Sequence, residues 1–176
     1  MKTLSLALLA FASLAPAHAA LLTSSGSLSA SDPTYNRVNE ALSLSGTGTN
    51  VYYDVFYFHT TSTGSVRIET MTTSGQFDTF ITLYQGSFNA ASPTTNDVEA
   101  DDDDGASNLS KIVRSLNGGN NYAVVVTSFN NGTTGNYALQ VEGNVAAGTQ
   151  TSGVPEPSTA LLAIPALAAI YFRRRK

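Results

Sequence analysis

From residue 20 onward the apolar residues come in short runs rich in Val, Ile, Thr, Tyr and Phe, cut at regular intervals by Gly, Asn, Ser and Asp. That spacing is the signature of short β-strands joined by turns. It predicts eight strands, over 26–30, 41–45, 51–59, 65–73, 79–85, 109–116, 121–129 and 135–143. Alternation with a period of two is clearest where Tyr137, Leu139 and Val141 oppose Ala138, Gln140 and Glu142, and where Val66 and Ile68 oppose Arg67 and Glu69. The runs VYYDVFYF (51–58) and YAVVV (122–126) are apolar on both faces, which places them centrally in a sheet. Turn residues that tolerate positive φ separate the runs, as in Thr63-Gly64, Ser74-Gly75, Asn117-Gly118-Gly119-Asn120 and Asn130-Asn131-Gly132. No helical periodicity interrupts the body. The expectation is an all-β protein, an antiparallel β-sandwich over 20–143. In it Tyr122, Val124 and Val126 face the core together, opposite or beside Tyr137, Leu139 and Val141.

Both ends break this pattern. Lys2, the apolar stretch 4–14 and Ala17-His18-Ala19 have the order of a secretory signal peptide, 1–19, with cleavage after Ala19. After Gly143 the composition turns to Ala, Gly, Thr, Gln and Ser, a flexible linker over 144–153. Residues 154–176 then run Val154-Pro155-Glu156-Pro157, an apolar segment 158–172, and Arg173-Arg174-Arg175-Lys176. A bilayer accepts the apolar helix, and the basic cluster holds its end on the cytoplasmic side. Fifteen residues make a helix of roughly 22 Å against a hydrocarbon core of about 30 Å, and Pro165 removes one of its hydrogen bonds. Such a transmembrane segment suits transient insertion.

Motif, apolar segment and basic cluster together resemble the PEP-CTERM sorting signal of exported bacterial proteins. The resemblance implies recognition by an exosortase-type processing enzyme, cleavage near Pro155-Glu156-Pro157, and release from the inner membrane to the cell surface or extracellular matrix. Signal peptidase acts at the other end.

Setting both ends aside changes the charge. The body carries Arg37, Arg67, Lys111 and Arg114 against 12 acidic residues, a net charge of −8. A surface of that sign repels phosphate backbones and excludes nucleic acid as a partner. The chain has no cysteine, so no disulfide reinforces the fold. A body of about 130 residues is large enough to stand on its core, because a domain near that size buries roughly two-thirds of its unfolded surface.

A second resemblance lies in the body. Phe77-Asp78-Thr79-Phe80-Ile81-Thr82-Leu83-Tyr84, then Asp101-Asp102-Asp103-Asp104-Gly105, Ser110, Leu116, Gly119, Tyr122 to Val126 and Gly135-Asn136-Tyr137 are similar to the bacterial pre-peptidase C-terminal domain. That family implies a jelly-roll-like sandwich and a non-catalytic accessory or binding role.

The residues themselves offer little to an enzyme. His59 is the one histidine left after signal removal, and no G-x-S-x-G elbow occurs. A nucleophile–base device and a His/Cys zinc site both need more. A carboxylate pair would have to come from Glu40, Glu69, Glu99, Glu142 and scattered aspartates, of which Glu69 and Glu142 fall on outward strand faces. The reading is therefore non-enzymatic, with a secreted hydrolase as the competing class. The acidic run 96–105 concentrates oxygen ligands in Asp101, Asp102, Asp103 and Asp104. Anchoring an EF-hand loop on Gly105 leaves Ala100 at its first position and Lys111 at its twelfth, so it is no EF-hand. Two readings stay open. One is a different Ca²⁺ loop, with Asp78 or Asp97 contributing, in a calcium-dependent adhesin. The other is a solvated turn reversed at Asp104-Gly105. The function expected is a structural or binding module associated with exopolysaccharide.

Overall fold

The computed structural model describes residues 19–71 and 77–149. The expected signal peptide, the expected sorting segment and the turn at Ser74-Gly75 lie outside the described residues. Among the described residues every element is a strand: β1 (Ala20–Leu28), β2 (Thr34–Tyr35), β3 (Val51–Thr60), β4 (Gly64–Met71), β5 (Thr79–Gln85), β6 (Asp97–Asp101), β7 (Lys111–Leu116), β8 (Asn121–Ser128), β9 (Gly135–Gly143) and β10 (Val145–Ala147).

The strands form two antiparallel sheets packed as a sandwich. One has the order β1-β9-β4-β7; the other has β10-β3-β8-β5-β6, with β2 also paired to β3. Between them lies a core of Leu28, Phe58, Val66, Ile68, Ile81, Leu83, Ile112, Tyr122, Val124, Val126, Tyr137, Leu139 and Val141. The inward residues of β8 and β9 thus meet across the sheets as their alternation requires. Burial is driven by removal of apolar area from water, about 25 cal/mol per Å². Polar groups enter this interior only in satisfied sets. Near the start of β5, Thr79 Oγ1 lies 2.7 Å from Thr70 Oγ1 and 3.1 Å from Ser110 Oγ. The Ser110 amide donates to both threonine oxygens, at 3.0 and 3.1 Å, tying the two sheets together.

Four features depart from the sequence expectation. The strand expected at 41–45 is a turn: Leu42 has φ of 58°, its N–H donates to Asn39 O, and one bridge, Val38 to Leu44, is all that pairs. Asparagine at 39 competes with a ladder by accepting from Ser43 N through its own Oδ1. The strand expected at 26–30 begins instead at Ala20 and pairs with β9 from Ala20–Gly143 to Leu28–Gly135. Its inward positions include Ser24 and Gly26, small residues that hide the alternation; a Cβ on Gly26 would strike the Tyr137 ring. Finally, Val145–Ala147, expected as linker, pairs with Phe58 to Thr60, and the acidic residues Asp97–Asp101 pair with β5.

The outer face of the six-stranded sheet is not left to water. Tyr53, Val55, Thr82, Tyr84, Ala123 and Val125 point that way and are covered by Tyr35 of the short strand β2 and by Phe88 and Ala90 from the loop after β5. Rings of Tyr35, Tyr53 and Phe88 meet edge to face at 5.0–5.2 Å. This third layer explains why β5 and β8 are apolar on both faces.

Candidate functional site

Antiparallel pairing brings distant carboxylates together at one end of the sandwich. β5 and β6 are neighbours with Ile81 opposite Asp101, so the residue entering β5 and the residues leaving β6 share an end. Asp78 thereby meets Asp102 and Asp103, with one carboxylate oxygen from each lying within 4.8 Å of the others. Asp78 Oδ1 and Asp102 Oδ1 are buried without a hydrogen-bond partner in the protein. Like charges this close, with restricted access to water, resist ionisation. Burial raises the Asp102 carboxyl to about 7, helped by Asp103 and Asp78 and opposed by Arg37. Burial and Asp103 raise Asp78 as well, again against Arg37.

Of the four aspartates singled out in the sequence, two join this group. Asp101 turns inward, where its Oδ2 accepts from Lys111 N at 2.7 Å and Asp104 N at 3.2 Å. It closes the turn after β6, and burial raises its pKa against those two donors. Asp104 contributes its carbonyl to the Lys111 ammonium. Of the two expected helpers, Asp78 arrives and Asp97 does not: Asp97 pairs with Tyr84 at the other end of β6. His59 lies on the outer face of β3 opposite Asn121 and Ala146, also away from the carboxylates. The targeting residues Ala17, Ala19, Pro155, Glu156, Pro157, Arg173, Arg174, Arg175 and Lys176 lie outside the described residues.

Arg37 is the residue that sequence reasoning missed. It is 2 % exposed, the largest side chain so deeply buried. Its guanidinium carbon sits 3.7 Å over the Phe80 ring and 5.2 Å from the Phe129 ring. Nη1 donates to Val38 O at 3.0 Å and Nη2 to Phe129 O at 2.9 Å, while Nε has no partner. A Cβ on Gly48 would lie 2.3 Å from that Nε, so the loop can wrap the arginine because residue 48 has no side chain. Burial lowers the Arg37 pKa, and Asp102, Tyr35, Asp78 and Glu40 oppose this. Arg37, Glu40, Asp102, Phe80 and Phe129 border a pocket of about 230 Å³. The available signal was an isolated cation within the YNRVN segment (35–39) of a strongly acidic body.

Chemically, the three carboxylates carry more negative charge than Arg37 neutralises. They supply hard oxygen donors of the kind calcium takes, although Ca²⁺ needs six to eight oxygens and three side chains leave the remainder to carbonyls and water.

No family model and no curated protein matches the chain. Among solved structures, the pre-peptidase C-terminal domain of a collagenase from Bacillus anthracis is similar at 20% identity and a TM-score of 0.44, covering 68% of this chain and 87% of that one. A CBM35 from Cellvibrio japonicus Abf62 is similar at 15% identity and a TM-score of 0.34, covering 72% of this chain and 99% of that one.

Proposed function

We propose that this chain is a non-catalytic exported module, carried to the cell surface or matrix by its two terminal signals and associating there with polysaccharide. One observation carries the reading. The folded body fills the interval between the two segments whose sequence marks them for processing, and its ends emerge close together. β1 begins at Ala20, directly after the Ala17-His18-Ala19 cleavage pattern, and pairs there with Gly143. The chain leaves β10 beside Phe58, with Gly148 N bonded to Tyr57 O, near the same end of the sandwich. Asp78, Asp102, Asp103 and Arg37 gather at the opposite end. A body tethered through either terminus therefore turns its acidic loops outward.

Intact-mass spectrometry of surface material from the native host tests this. The expected mature form begins at Ala20 and lacks Phe172 and the basic cluster. Pro155→Ala with Pro157→Ala leaves membrane insertion intact and blocks processing. A polypeptide that still ends at Lys176 makes the tail a plain anchor and ends the sorting proposal. A hydrolytic activity lost in His59→Ala ends the non-enzymatic one.

The meeting of Asp78 with Asp102 and Asp103 favours a calcium-dependent form of the same role. Calcium bound to the folded state alone raises stability by about 2.7 kcal/mol at a hundredfold excess over its dissociation constant. The melting temperature of the 20–153 fragment should rise in millimolar calcium and fail to rise in Asp78→Asn/Asp102→Asn. An unchanged melting temperature in the wild type returns the carboxylates to the role of a solvated turn.

A further inference from the structure

The end of the sandwich opposite the acidic cluster holds a second concavity of about 580 Å³, bordered by Gln85, Gly86, Asn96, Asp97, Asn120 and Asn121. Small-molecule sites span about 300–1,000 Å³. Its walls come from the ends of three adjacent strands and are set by main-chain bonds, Gln85 N to Asn96 O at 2.8 Å and Gly86 N to Asn121 O at 2.7 Å. Two residues on the rim adopt left-handed backbone, Asn96 at φ of 65° and Gly86 at φ of 85°, and β5 slips register against β6 between Leu83 and Tyr84. Bulges and left-handed residues of this kind re-aim side chains at sheet ends. Space above Gly86 is open: a Cβ there would meet nothing within 4 Å.

The chemistry of the walls selects a ligand class. Among the described residues, the side-chain amides of Gln85, Asn96, Asn120 and Asn121 make no hydrogen bond to protein, and Asp97 Oδ2 is buried without a partner. Each amide offers two donors and a two-lone-pair acceptor, and a carboxylate offers acceptors only. Four amides can therefore answer hydroxyl groups, which both donate and accept, and the Asp97 carboxylate can accept hydrogen bonds from hydroxyls. Among the described residues no Lys, Arg or His borders the cleft, and the Asp97 charge disfavours an anion. We infer that this cleft binds an uncharged, hydroxyl-rich chain, a neutral polysaccharide, through its amides. The inference rests on the polysaccharide-binding role proposed above and names the site for it.

The test uses the full-length protein in a sugar-free detergent, titrated calorimetrically with maltohexaose, cellohexaose, laminarihexaose and a hexameric oligogalacturonate. The expected result is saturable binding of at least one neutral hexaose, at least tenfold tighter than the anionic oligomer. Gln85→Ala/Asn121→Ala should weaken it at least tenfold with an unchanged melting temperature. Asp97→Asn should narrow the gap to the anionic oligomer. Binding undiminished in the double variant but lost in Asp102→Asn overturns the cleft and leaves the polysaccharide-binding role standing at the other end. Wild-type protein that binds none of the three neutral hexaoses, yet is retained on immobilised matrix polysaccharide from the host, also overturns the cleft alone. Failure in both assays removes the binding role with it.

Discussion

The two sheets face the same core but treat their outer faces differently. In the four-stranded sheet β9 alternates, with Tyr137, Leu139 and Val141 buried between more exposed residues, and Val113 of β7 stands 55 % exposed on the outside. In the six-stranded sheet β5 and β8 are buried at nearly every position. The difference is the loop layer. A sheet backed by water can use polar residues on alternate positions, whereas a sheet backed by loops has to bury both faces. The outer layer contains what the inner core does not: the buried Arg37, brought by a loop, and the clustered hydroxyls of Tyr35, Thr82 and Tyr84. The potential ligand groups collect at the ends of the loop-backed sheet, where those loops join it.

The strongest test of the comparison asks whether the loop layer belongs to the cooperative fold. Leu139→Ala empties a site between the sheets and should cost about 2–5 kcal/mol. Arg37→Ala strips the guanidinium from Phe80, Phe129 and two carbonyls, and leaving those acceptors unpaired costs about 1–3 kcal/mol each. Chemical denaturation of the 20–153 fragment should show comparable losses. A shift for Arg37→Ala below a few tenths of a kcal/mol would mean the layer is an ornament on a two-sheet protein.

A gentler test makes the same change on both outer faces. Val113→Thr, in water on the four-stranded sheet, should fall within about 0.5 kcal/mol of wild type. Val125→Thr, fully buried on the loop-backed sheet, exchanges a methyl for a hydroxyl opposite Thr82, away from water, and should cost about 1–3 kcal/mol. Equal effects would show that the loops do not exclude water.

The smallest effect is electrostatic, because Asp102 is partly solvated. Its folded pKa of about 7 lies above the ordinary 3.8, so the folded state holds a proton that the unfolded chain has released. Stability from this group is complete below about 3.8 and is lost as pH rises toward about 7; the raised Asp78 and Asp101 act in the same direction. Without divalent cations the melting temperature should therefore drift down between pH 4.5 and 8. Asp102→Asn should flatten the drift, and a wild-type profile that rises over that range would show that the carboxylates ionise freely.

Local physics made part of the protein readable in one dimension. Alternation in β4 and β9, apolar continuity in β3 and β8, and turn residues between them are properties of neighbouring positions, so the all-β sandwich and the core shared by Val124 and Leu139 could be read directly. The terminal segments proposed as targeting signals are linear patterns of the same kind. What could not be read depends on which ends the topology brings together. Strand β1 hid behind Ser24 and Gly26, small inward residues, the second small because the Tyr137 ring occupies the space beside it. Strand β6 hid behind its charges, since Asp97–Asp101 reads as a loop until β5 supplies a partner. The acidic run announced itself, but the tertiary fold alone separated Asp101, spent on closing a turn, from Asp102 and Asp103, and delivered Asp78 to them from another part of the chain. Arg37 is the limiting case. An arginine is ordinarily a surface residue, and its burial rests on two aromatic rings, two carbonyls, nearby carboxylates and the bare backbone of Gly48. No single stretch of sequence contains all of these; they converge because the β5–β6–β8 end of the sheet and the 36–50 loop fold onto one another.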